Sequence, residues 1–179
     1  MLGLWLCYRQ NSWSNMDQQK IVAKLFEWMG TFVEVPNPAL GNWPPCPYAR
    51  QARVNNTIGF VFTEVSDFRD AVQQSIDLLE SKEVVIIFFD HRYIDPVTLQ
   101  EWVTSVNNQL MLTDHVILED HPDAPEYVSG VKMNFGECGL LVVQKLSKLN
   151  IASAHLRSKG YYDHWDQAAL DDVVNWRFN

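Results

Sequence analysis

The sequence predicts a single α/β domain with a small mixed, mostly parallel four-stranded sheet flanked by helices; a ferredoxin-like α+β sandwich is the alternative. Three observations lead there. Segments of strand and helix character alternate from residue 58 to residue 119, the apolar run at 84–89 is continuous, as in a strand covered on both faces, and 179 residues supply one core but not two. A β-α-β-α-β run with right-handed crossovers sets its three strands parallel, and a fourth strand adds most simply antiparallel. The hairpin that a ferredoxin-like fold carries between its second and third strands has no signal here.

The first helix is read over residues 17–33, where Ile21, Val22, Leu25, Phe26, Met29, Phe32 and Val33 fall on one stripe. Residues 1–15 lack that period and read as a peripheral N-terminal extension to a domain at 16–179. With neither a basic leader nor a small-residue cleavage site they do not read as a signal peptide, and a chain begun at Met16 is expected to keep its melting temperature. Pro36, Pro38, Gly41, Pro44, Pro45 and Pro47 then interrupt regular structure, with Pro47 opening a short helix to about Arg53. Residues 58–65 form the first strand. Ser66 caps a helix reaching to residue 81, and residues 83–89 form a central second strand. Asp95 and Pro96 open a helix whose inner stripe is Leu99, Trp102, Val103, Val106 and Leu110, and residues 115–119 are the third strand. After a turn-rich stretch at 121–130, residues 139–146 read as a strand, 147–159 as a helix stopped by Gly160, and 166–177 as a last helix.

Composition narrows the partners. The chain is 47% hydrophobic and 20% charged, as folded globular proteins are, and its formal net charge of −8, with no run of Lys or Arg, repels a nucleic-acid backbone. The run at 84–89 is far below the roughly 20 residues of a membrane span. Cys7, Cys46 and Cys138 show no paired spacing, so neither a disulfide framework nor a zinc ribbon is indicated, and a reducing, cytoplasmic setting is expected for a soluble chain. The partner left is a small molecule or another protein.

Two places carry chemistry. In Trp43-Pro44-Pro45-Cys46-Pro47-Tyr48-Ala49-Arg50 the thiol of Cys46 stands at a helix start, where unpaired N–H groups favour a thiolate. Arg50 lies on the same helical face and Arg53 within one further turn. This stretch resembles the Cys-Pro-Phe-Ala signature of a small bacterial protein family of unknown function, in which it likewise follows an N-terminal helix; Tyr48 stands where the family has phenylalanine. The resemblance covers few residues, marks Cys46 and implies no activity. The second place is a repeated strand ending, Asp90-His91 and Asp120-His121. If the strands are parallel, both pairs emerge at their carboxyl edge, where open α/β sheets place ligands. Asp90, His91, Asp120 and His121 together suit a divalent metal that activates water, provided the two imidazoles lie within about 10 Å of each other. Without a metal, His91 or His121 serves as a general base. The alternatives are therefore a small metal- or thiol-dependent enzyme using Cys46, Arg50, His91 and His121, and a non-catalytic binding or accessory protein using the proline-rich loop around Trp43. Cys138, Trp28 and Trp102 read as packing, and Asp163, His164 and Asp166 as helix capping.

Overall fold

The computed structural model describes residues 13–178. Cys7 and most of the expected N-terminal extension lie outside the described residues. Helix α1 (Asn15–Trp28) starts because the Ser14 hydroxyl accepts a hydrogen bond from the Asp17 N–H at 3.1 Å, and Trp13, just before it, packs on Phe62 with ring centroids 5.6 Å apart. Ile21, Leu25, Met29 and Val33 are buried along one side, and the helix widens into a π turn over Met29–Val33 before Pro36 ends it. Helix α2 is short (Ala49–Val54) and begins after Tyr48, so Pro47 precedes the helix and does not occupy its first turn.

The main sheet runs in the order β1 (Ile58–Phe62), β2 (Val84–Phe89), β6 (Gly139–Lys145), β3 (His115–Asp120). The β1, β2 and β3 strands point the same way, as the alternating pattern requires, and β6 runs against them between β2 and β3. Consecutive parallel strands two and three are therefore not neighbours, although they are joined by a crossover. The insertion fits the residues of β6. Leu140 and Leu141 are buried on opposite faces, and Gly139 faces Phe89, whose ring would lie 2.1 Å from a Cβ at that position.

Helices α3 (Phe68–Leu78) and α4 (Pro96–Leu110) cover one face of the sheet over Val85, Ile87, Phe89, Leu141 and Val143, while α1 and α2 cover the other over Ile58, Ile86, Phe88 and Leu140. Every residue of β2 from Val85 to Phe89 is buried, which explains its unbroken apolar run. Asp67, preceded by a 3-10 turn over Val65–Asp67, stands at the cap position of α3 where Ser66 was expected. Asp95 caps α4 through the Thr98 N–H at 3.0 Å, and Pro96 opens it.

Between β3 and β6 the chain makes a small hairpin, β4 (Tyr127–Val128) and β5 (Val131–Lys132), turned by Ser129 and Gly130 at positive φ. Helix α5 (Leu146–Ser158) ends before Gly160, whose φ of 77° is the left-handed stop expected there. Helix α6 (Gln167–Val173), capped by Asp166, gives way to a separate 3-10 turn at Asn175–Phe178, so the last expected helix is two pieces. No helix of the described residues is long and apolar enough to cross a membrane.

Candidate functional site

The carboxyl edge of the parallel strands does bring the two Asp-His pairs together: the imidazole rings of His91 and His121 lie 5.5 Å apart, edge to face. The lone pairs are another matter. His121 is buried; its Nε2 donates to the Ile94 carbonyl at 2.9 Å while its Nδ1 accepts from the Asp123 N–H at 3.1 Å. Both ring nitrogens therefore hold the turn after β3 against the entry to α4, and none is left for an ion or a substrate. Asp120 accepts from the Asn134 side chain and the Phe135 N–H, each at 2.8 Å, which ties the β4–β5 excursion back to the sheet. Burial pushes its carboxyl above the usual range even so. Asp90 caps its own turn through the Arg92 N–H and forms a two-point ion pair with the Arg92 guanidinium, which lowers its pKa. Among the described residues no group of three or more His, Cys, Asp or Glu side chains is placed to hold a metal ion.

The proline loop has a different internal logic. Glu34, at the end of the π turn, accepts both Nε and Nη2 of Arg53 at 2.6 and 2.7 Å, so Arg53 fastens α2 to the first helix. Arg50 is exposed and adds only its field at Glu34. Cys46 is exposed as a residue, yet desolvation by the protein around its thiol raises the pKa, outweighing the pull of the Tyr48 and Ala49 N–H groups, with Glu34 pushing the same way. Trp43 is half-buried against Tyr161 with ring centroids 5.7 Å apart, and the Tyr161 hydroxyl donates to the Pro45 carbonyl. The loop surface that Trp43 was expected to offer is thus partly occupied from within the chain. Cys138 is buried in the core, its thiol pushed up to about 12.

A recess lies beside the Asp-His edge. A cleft of about 470 Å³ opens between α4, the end of β3, the C-terminal end of α6 and Trp176, and an adjoining recess of about 320 Å³ reaches His121. Both are lined by Gln100, Glu119, Glu126 and Asp172. No Lys or Arg lines either one. Asn107 sets the inner wall by accepting from the Ile117 N–H and donating to its carbonyl, both at 2.9 Å, which closes the free edge of β3. Asn134 places Glu126 by accepting its N–H at 2.7 Å. Glu119 is raised by burial and then by Asp172, and Glu126 is raised to about 8 by burial and then by Asp120, Asp172 and Glu119.

These three carboxylates were not singled out by sequence, and little could have marked them. Glu119 sits at the end of a strand, Glu126 in a turn-rich stretch and Asp172 in a helix read as continuous; only the docking of α6 across the edge strand unites them. No family model, curated protein or solved structure matches the chain.

Proposed function

We propose that the chain binds a small organic cation, an amine or guanidine, in the acidic cleft. One observation carries the reading: Glu119, Glu126 and Asp172 line a recess of ligand size that contains no Lys or Arg. Burial raises the pKa of Glu119 and of Glu126, the charge of Asp172 adds to both and that of Glu119 to Glu126, and a cation beside them relieves that repulsion. The amide and hydroxyl groups of Gln100, Asn108 and Thr104 supply acceptors for N–H donors along the same wall. Among the described residues no three acids are placed to hold a metal ion together, which favours an organic cation over a bare metal ion.

The test is thermal melting with putrescine, agmatine and spermidine at fixed ionic strength. The wild type is expected to gain several degrees with saturation. The Glu119→Gln/Glu126→Gln variant should gain little, while Asp70→Asn/Asp77→Asn, which removes two exposed charges elsewhere, should behave as the wild type. Equal shifts in all three proteins would mean general attraction to a chain of net charge −8 and would overturn the reading.

A second reading rests on Glu126. A carboxyl held at about 8 exchanges its proton near neutral pH, as a general acid or base must, so the same cleft is furnished for proton transfer to or from a bound amine. A metal-assisted or thiol-dependent reaction at the Asp-His edge or at Cys46 has weaker support, since the ring nitrogens of His121 are engaged and the Cys46 thiol is shifted up.

A further inference from the structure

We propose that the chain has a second, independent binding site in which the guanidinium of Arg177 takes a small oxyanion, a carboxylate or a phosphate. Arg177 lies in the 3-10 turn Asn175–Phe178 and is only 5% exposed. Of its donors, Nη2 reaches the Ser153 hydroxyl on α5 at 3.2 Å, while Nε and Nη1 are buried with no partner among the described residues. Three N–H bonds of a permanently charged group are therefore unmatched, and no carboxylate among the described residues forms an ion pair with it. A buried, uncompensated charge is strongly unfavourable, and the group that answers it best is an oxyanion meeting the planar fork at two points.

The surroundings select the same class. The charged residues of α5 are Lys148 and Arg157, with no Asp or Glu, so the helix that Arg177 meets carries positive charge in an otherwise acidic chain. Arg157 stands over the Tyr162 ring, 5.6 Å from its centroid, and its Nη2 donates to Asn175 at 3.0 Å, which braces the turn that carries Arg177. Asp171 is the acid of α6 closest in sequence to this turn after Asp172, and its Oδ1 is already shared by Gln167 and Asn175. Burial lowers the Arg177 pKa in the way expected of a cation awaiting a partner. The neighbouring Trp176 lines the acidic cleft, whereas Arg177 turns to α5, so the two sites are separate and either can fail without the other.

Melting of the wild type in sodium phosphate, acetate or chloride at matched ionic strength tests the site. Phosphate or acetate is expected to raise the melting temperature saturably, the more effective of the two naming the oxyanion, and chloride to do little. Arg177→Met should lose that response and, in anion-poor buffer, melt at or above the wild type, because it removes an unpaired buried charge. Absence of any saturable response, or an equal one in Arg177→Met, overturns the proposal. If the Met variant does not fold, Arg177→Lys keeps the charge but not the fork and should bind phosphate or acetate about tenfold more weakly; unchanged affinity there also overturns it.

Discussion

The ionisable residues show that a side chain's surroundings, more than its type, decide its chemistry. Cys46 has the position that lowers a thiol's pKa, ahead of a helix with two N–H groups aimed at it, yet desolvation outweighs both and Glu34 adds to the rise. Its alkylation by iodoacetamide at pH 6.5 is accordingly expected to be no faster than that of a free small thiol, and labelling many times faster would restore a nucleophilic role. The meeting of His91 and His121 was legible in the sequence, because two parallel strands ending in the same dipeptide must bring those ends to one edge. Their use was not legible. Whether an imidazole faces a ligand or a backbone carbonyl depends on where Ile94 and Asp123 come to lie, and no spacing records that.

At the scale of elements, the strong periods located the helices and strands, and the exceptions have physical causes. The β4–β5 hairpin pairs two residues with two, too short for any alternation to show, and only Ser129-Gly130 marks its turn. The antiparallel β6 entered between β2 and β3 because its own residues are buried on both sides, a property shared by central strands whatever their neighbour. Helix α1 begins at Asn15, two residues before its expected start. Ser14 caps α1 and Trp13 rests on Phe62, so a chain beginning at Met16 should melt about 5 to 10 °C below one beginning at Trp13, from the loss of about 2 to 3 kcal/mol of capping and packing. Equal melting temperatures would return residues 13–15 to a peripheral role. The free edge of β3 depends on Asn107, and Asn107→Leu should cost about 2 to 4 kcal/mol in denaturant unfolding by stranding the Ile117 N–H and carbonyl; a loss below about 0.5 kcal/mol would show that water replaces the amide there.

Taken whole, the molecule is a three-layer α/β domain whose two most unusual electrostatic features both involve the segment after α5. Helix α6 and the terminal turn close an acidic cleft on one side with Asp172 and Trp176, and bury Arg177 against α5 on the other. The cleft leaves a signature in stability. Glu126 has a folded pKa of about 8 against an ordinary 4.5, so the folded chain binds more protons between those values; the stabilisation is complete below pH 4.5 and is lost as pH rises through 8. Cation binding must reverse that trend, because it favours the carboxylate and expels the proton. Calorimetric titration of spermidine into the protein at pH 7, in two buffers of different ionisation enthalpy, reads this directly. Binding with release of protons, abolished in Glu119→Gln/Glu126→Gln and retained in Asp70→Asn/Asp77→Asn, is the predicted result; no binding heat, or binding that survives loss of both cleft glutamates, would contradict a cation site.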